Sequence, residues 1–407
     1  MLLPMLPSSA TPDAARLVVT RGARGFADGI ASVLLASHLI RLGFSALEIG
    51  AIVTATLLGS AMLMLAVGLA GHRWPRRAVL LGASGLMFLT GLGFFSATRF
   101  WPLLVIAFVG TLNPSSGDVT LFLPTEQAVL AETVSPGDRT GIFAWYNLAG
   151  AFAGALGSLA AGGPEQLARL LHLEVAQAER LGFVVYAMIG ALSAVLYRRL
   201  SPAVEPPPQV SKVPPLAQSR RVVLQLSALF SLDSFGGGFV VQSLLVLWLF
   251  RRFALPVPTA AAIFFAVNLL GAISQLVSSQ LAARIGHVRT MVYTHLPSNA
   301  FLILAGIMPS LPLAVLFLLL RSALSQMDVP ARQAYVMAMV PREERAAAAS
   351  VTNVPRSLAS AIAPLIAGAL LDRTSFGWPL ICAGALKSAY DLLLFAQFAH
   401  RKPDEPA

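Results

Sequence analysis

Apolar residues in this chain gather into runs of about twenty, the length a helix needs to cross the hydrocarbon of a bilayer. Measured against that length, the pattern predicts helices near 15–41, 47–70, 79–97, 101–130, 141–161 and 182–200. A second set follows near 222–250, 258–282, 291–309, 312–339, 346–370 and 376–399. The even number places both ends of the chain on one side. Between the two sets lies a segment, residues 201–221, with six prolines and a closing Arg220–Arg221 pair. A segment so rich in proline cannot continue a helix and stays solvated, so it reads as a tether. The chain thus divides into a six-helix bundle over 1–200, a linker over 201–221 and a second bundle over 222–407. Residues 164–182 show helical periodicity with mixed charge, which predicts a helix lying at the membrane surface.

Composition confirms the solvent. Apolar residues make up 56% of the 407 and charged residues only 12%, with a mean hydropathy of +0.73. A water-soluble domain carries roughly 25% charge, so lipid solvates much of this chain. The net charge of +10 raises the question of nucleic acid, but the basic residues sit in short clusters between apolar runs and not among aromatics. With the N-terminus inside, 16 Lys and Arg fall in inner loops and seven in outer ones. That bias predicts cytoplasmic termini and residence in the cell's inner (plasma) membrane. The first fifteen residues have no charged n-region or cleavage site and read as a cytoplasmic lead-in. One cysteine, Cys382, leaves no disulfide framework and no cysteine metal site, and no cofactor is implied.

The two halves match at a constant offset of 206 residues through their fourth and fifth helices. Pro124, Gln127, Ala128, Arg139, Asn147 and Gly162 fall on Pro330, Gln333, Ala334, Arg345, Asn353 and Gly368. Asp28 and Asp233 pair at an offset of 205. Two unrelated apolar sequences would align Leu and Ala, not Pro, Gln, Arg and Asn. A duplication in the same direction relates the halves by an axis along the membrane normal, with a solute site between them.

The loop after the second helix runs from Gly59 through Gly68 to His72-Arg73-Trp74-Pro75-Arg76-Arg77. It resembles the signature loop of the major facilitator superfamily, G-x8-G-x3-D-R-x-G-R-R, with His72 at the aspartate and Pro75 at a glycine. The turns before Arg139 and Arg345, the loop from Arg41 to Gly50 and the second-half loop around Arg284 and Gly286 also resemble that family. The resemblance spans the chain. It implies an all-α membrane fold of twelve transmembrane helices in two bundles related by a pseudo-two-fold axis, acting as a secondary transporter. On this reading Gly68, His72, Arg73, Arg76 and Arg77 belong to the conformational machinery. Small residues in such a turn permit close packing, and arginines can cap helix C-termini. His72 is read either as a solvated loop residue or as a pH switch.

Ionisable residues within membrane helices are costly and therefore candidate functional groups. The acids are Asp28, Asp118, Glu126, Asp233, Asp328 and Asp391, and the bases are Arg21, Arg24, Arg321, Arg332, Arg356 and Lys387. Arg21, Arg24 and Asp28 share one helix face, with Asp28 either a proton site or the partner of Arg24, and Arg21 snorkelling to the inner interface. Asp233 has no basic neighbour on its own helix and is the better proton-coupling candidate. The run Asn113-Pro114-Ser115-Ser116-Gly117-Asp118 predicts a discontinuous fourth helix lining a cavity. Asn113, Ser116 and Asp118 are its candidate solute contacts, joined by Arg24, Arg321 and Asp328. Glu126 and Arg332 occupy equivalent positions with opposite charge, which suggests a cytoplasmic gate, paired when the transporter is outward-open and separated when it is inward-open; the alternative pairs Arg332 with Asp328, four residues earlier. Lys387 and Asp391 read as a local neutralising pair.

These features predict a monomeric, proton-coupled transporter exporting a small amphipathic compound by alternating access. Glycines along the fifth helix faintly resemble the family's antiporter motif, without its glycine–proline step. The alternatives are proton-linked uptake of a small, possibly anionic metabolite, and a non-transporting sensor on the same fold. The expected partners are lipid, a small-molecule solute and protons. Histidines without ligand spacing and the absence of a P-loop argue against an enzyme or an ATP-driven pump.

Overall fold

The computed structural model describes residues 6–70, 74–115, 121–135, 138–205, 218–341 and 344–399. Helix α1 (Pro12–Arg41) starts where Thr11 caps the Ala14 amide, with Pro12 opening the helix and Asp13 in the first turn. It stops at Gly43, whose φ of +85° lets the chain reverse into α2 (Ala46–Ala70). Helix α3 (Arg76–Ser96) follows, and then the fourth span, which is broken into α4 (Phe100–Val109) and α5 (Leu123–Glu132). Helix α6 (Arg139–Ala160), a short α7 (Gly163–Leu171) and α8 (Val175–Arg198) complete the first half.

The second half repeats this order. Its first span is split into α9 (Arg220–Gly238) and α10 (Gln242–Phe253). Helix α11 (Val257–Ile285) meets α12 (His287–Ile307) across Gly286, at φ +86°. The fourth span is again broken, into α13 (Leu311–Ser325) and α14 (Asp328–Ala338), and α15 (Arg345–Arg373) and α16 (Trp378–Phe398) close the chain.

Nine helical stretches among the described residues are long and apolar enough to cross a membrane. The other three of the twelve spans are α1, the broken α4–α5 and α12. Charge and interruption explain them: α1 carries Arg21, Arg24 and Asp28, and α12 carries His295, Pro297 and Asn299. The surface helix expected over 164–182 is shorter. His172 takes a left-handed conformation after α7, and from Val175 the chain belongs to α8. The linker expected at 201–221 lies outside the described residues over 206–217.

Glycine sets the closest contacts. A Cβ on Gly29 would fall 2.1 Å from the Gly154 carbonyl oxygen, and one on Gly157 would fall 2.0 Å from that of Phe26. The glycine series on α6 thus lets α1 and α6 meet backbone to backbone, which is how membrane helices gain packing energy without a hydrophobic driving force. The two halves join through α2 with α15, α6 with α11 and α1 with α10. Gly50 and Gly368 make one such approach, near the loops remote from the termini. At the terminal end, α5 packs on α1, α3 and α6, and α14 on α11, α12 and α15, each within its own half.

Candidate functional site

Between the halves lies a cavity of about 270 Å³. Helix α1 presents Arg21 and Asp28 to it, two turns apart on one face, and α6 presents Asn147. The second half contributes Gln275 from α11, Arg321 from α13 and Gln326 at the α13–α14 break. The break in the fourth span shapes one wall. Asn113 Oδ1 accepts from the Ser115 amide at 3.1 Å and its hydroxyl at 2.8 Å, a local turn that satisfies backbone freed from the helix. The Asn113 side chain also hydrogen-bonds Asp28. Toward the joined end, Gln242 Nε2 donates to Ser32 Oγ at 2.8 Å and Ser158 Oγ at 3.1 Å, and Asn268 Nδ2 donates to Ser158 Oγ at 3.0 Å. These amides stitch the halves together above the cavity.

A second charged cluster lies wholly inside the first half. Glu126, fully buried, accepts from both Arg24 Nη atoms (2.8 Å at Nη1), Tyr146 Oη at 2.5 Å, Tyr197 Oη at 2.6 Å and Thr20 Oγ1 at 3.1 Å. Arg24 also donates to Tyr197 and lies 4.1 Å from the Phe122 ring centroid. A buried ion pair offsets its desolvation only with such additional hydrogen bonds.

The third cluster occupies the second half and is more dispersed. Asp233 Oδ1 accepts from Lys387 Nζ at 2.6 Å, while Arg332 Nη1 reaches Asp233 at 3.4 Å and Asp328 at 2.9 Å. His295 sits between two acids, with Nδ1 3.0 Å from Asp391 and Nε2 3.9 Å from Asp233. Asn299 Nδ2 donates to Asp391 at 2.8 Å, and Arg356 Nε to Ser234 Oγ at 2.6 Å.

The geometry redistributes the sequence candidates. Asp28, Arg321 and Asn113 belong to the central cavity or its wall. Ser116 and Asp118 lie outside the described residues. Arg24 is withdrawn from the cavity because it binds Glu126 on α5, so it is not the partner of Asp28. Asp328 and Arg332 pair with each other, four residues apart, as the alternative reading had it. Glu126 and Arg332 are therefore not joined across the axis in this structure; each is neutralised within its own half. Asp233 has no basic neighbour on its own helix, yet α16 and α14 bring it two cations. Lys387 thereby leaves Asp391, which takes His295 and Asn299 instead. Arg21 does not reach the interface: it is buried and its guanidinium lies 5.5 Å from the Tyr146 ring centroid. Gln275, Gln326 and His295 escaped the sequence reading, and Asn147 entered it only through the repeat, although amides and a histidine inside apolar runs were the available signal.

The family model described as Major Facilitator Superfamily matches residues 17–298 and again 228–406. The chain belongs to the Major Facilitator Superfamily. Among individual proteins, it is 27% identical over 404 residues to an uncharacterized membrane protein of Saccharomyces cerevisiae, covering 91% of this chain and 90% of that one. Its fold is similar to a bacterial homolog of the human lysosomal transporter Spinster in an inward-facing, unoccupied conformation, with TM-score 0.72 and 14% identity over 98% of this chain and 100% of that one. The nucleoside transporter NupG gives TM-score 0.70 and 13% identity over 96% and 100%.

In this major facilitator chain the signature loop is described only in part. Gly68 lies in the last turns of α2, and His72 and Arg73 lie outside the described residues. Arg76 Nη1 donates to Glu132 at 2.6 Å and to the Val204 carbonyl at 3.0 Å, and Arg77 donates to the Arg198 carbonyl. Glu205 accepts from the Arg76 and Arg77 amides at 2.7 and 3.0 Å. A carboxylate thus caps the N-terminus of α3 from the start of the linker.

Proposed function

We propose that this secondary transporter carries a small polar organic solute through the cavity between its halves and takes up a proton on Asp28 as it does so. The observation that supports this is the contrast among the interior acids. Glu126, Asp233 and Asp328 are each held by a guanidinium or ammonium at ion-pair distance, whereas Asp28 lies on the cavity wall with the neutral Asn113 amide as its hydrogen-bond donor. An acid that must exchange its proton in step with solute has to reach the cavity, and Asp28 meets that condition. Asp233, the stronger candidate from sequence, has its charge already compensated. The amide and hydroxyl lining favours a polar solute over an amphipathic one. The glycines of α6, a reason to read export, serve the contact with α1, so direction is left to measurement. With the termini assigned to the cytoplasm by the positive-inside bias, the halves joined at the far end correspond to an inward-open state.

The test is transport into proteoliposomes under an imposed pH step, with labelled nucleosides, sugars and organic acids as the solutes. Wild type is expected to accumulate its solute above equilibrium, in or out, according to the sign of the step. Asp28→Asn is expected to exchange solute but not accumulate it, and Asp233→Asn to keep its response to the step. Accumulation by Asp28→Asn that still follows the pH step would refute the assignment.

A further inference from the structure

Among the described residues, the interior cations Arg24, Arg332, Lys387 and Arg356 are engaged by acids or a hydroxyl of their own half. Arg24 has Glu126, Arg332 has Asp328 and Asp233, Lys387 has Asp233, and Arg356 donates to Ser234 beside Asp233. Arg321 has no acid at ion-pair distance among the described residues, and no hydrogen-bond partner for its guanidinium. It is the eleventh residue of α13, about 15 Å along the helix and so near the middle of a bilayer core of about 30 Å. Its guanidinium faces the central cavity. Burying a cation without a counter-charge is costly, and such charges are ordinarily paired. A guanidinium with no acid among the described residues, at mid-depth on the wall of a cavity, can take an anion from solution.

The surroundings define the rest of the ligand. Ser322 and Ser325 line the cavity on the same helix as Arg321. Gln326 gives its carbonyl to Gln275 Nε2 at 3.3 Å, which leaves its amide hydrogens and the Gln275 oxygen for a ligand. Asn147 faces them from α6 with a complete amide. A flat guanidinium fork matches a carboxylate or phosphate edge with two parallel hydrogen bonds. Hydroxyls and amides around it match hydroxyl or amide groups on the body of the solute.

We propose that Arg321 is the oxyanion-docking group of the cavity, and that the solute is a small organic acid, carrying a carboxylate or a phosphate monoester on a hydroxylated or amide-bearing body. This rests on reading the cavity as the solute site, but it is independent of how transport is coupled. Binding to the purified protein without any gradient therefore tests it separately from the role of Asp28.

The probes are gluconate, lactate, succinate and glucose 6-phosphate, with glucose as the neutral counterpart, titrated by calorimetry into protein in nanodiscs. At least one acid is expected to bind wild type, to lose about 10- to 100-fold in affinity in Arg321→Gln, and to recover part of it in Arg321→Lys. Binding of carboxylates alone or of the phosphate alone identifies which oxyanion the site takes. The ligand-free protein supplies a second readout. Because Arg321 has no acid among the described residues to orphan, Arg321→Gln is expected to unfold at the same or a higher temperature, whereas Arg24→Gln unfolds lower. The inference is overturned if glucose binds as tightly as the acids, if Arg321→Gln binds them undiminished, if no acid of the panel binds, or if Arg321→Gln is destabilised as much as Arg24→Gln.

Discussion

At the offset of 206 residues, Phe122 and Glu126 of the first half fall on Asp328 and Arg332 of the second, and Phe230 stands one residue beyond the position that the first-span offset of 205 gives for Arg24. Both trios bring a guanidinium against a ring and onto a carboxylate. In the first half the arginine comes from α1 and lies over the ring of Phe122; in the second it comes from α14 and lies 5.6 Å from the ring centroid of Phe230, contributed by α9. The chemistry is kept while its residues are exchanged between helices. What the clusters hold differs as a result. Arg24–Glu126 ties α1 to α5, whereas the shortest pair of the second trio, Arg332–Asp328, lies within α14, and α14 reaches α9 through the longer contact to Asp233. The first half is fastened by one pair between helices and the second by a network that spreads its contacts over several members.

Breaking the Arg24–Glu126 pair should have the largest effect. Glu126→Ala leaves Arg24 buried without an acid, which in comparable sites costs about 3–5 kcal/mol. Thermal unfolding in detergent measures it. The same measurement decides between partners. The exchange Arg24→Glu with Glu126→Arg should recover more stability than Glu126→Arg with Arg332→Glu, because Arg332 is committed to the other half. Equal or greater recovery by the second exchange would show that Glu126 and Arg332 pair across the axis.

Asp233→Asn should cost less, about 1–3 kcal/mol. Arg332 keeps Asp328, and the Lys387 ammonium has somewhere to go: it lies 3.7 Å from the position of a Cβ on Gly237, which lines the cavity. Water there can solvate it. A loss as large as that of Glu126→Ala, in the same unfolding assay, would show the second network to be as tightly coupled as the first.

The unevenness also explains what could be read from sequence. Apolar run length located all twelve spans, because hydrophobic thickness acts on each helix separately. Pro114 and Gly117 announced the broken fourth span, but the break between Ser325 and Asp328 has no proline or glycine in it and went unseen. Pairings were the hardest to read. Asp233 looks isolated along its own helix, and only packing brings Lys387 from 154 residues away. Glu126 and Arg332 are symmetric in sequence, but the counter-charge that each takes within its own half in this state is set by packing. Arg321 could be listed as an interior cation, but its lack of a partner is a property of the folded chain alone.

Asp138 and Glu344 sharpen the comparison at the small end, being equivalent at the same offset and serving the same purpose. Each receives the chain just before the first span of its half: Ser9 donates to Asp138 through its amide at 3.2 Å and its hydroxyl at 2.6 Å, and Glu344 accepts the Gln218 amide at 2.9 Å and the Ser219 amide at 3.1 Å. Their surroundings differ, since Glu344 is buried and Asp138 half-buried. Glu344→Gln should therefore lower stability by about 1 kcal/mol, as loss of a helix cap does, and Asp138→Asn by less. Asp138 nonetheless leaves a signature in pH. Its hydrogen bonds from Ser9 hold the carboxyl below the ordinary carboxylate value in the folded protein. Such a group contributes stability above its unfolded pKa and loses it as pH falls through the folded one. Unfolding temperatures taken from about pH 5 to about pH 3 should fall less steeply in Asp138→Asn than in wild type. Parallel slopes for the two proteins would mean that Ser9 does not hold Asp138 in the folded state.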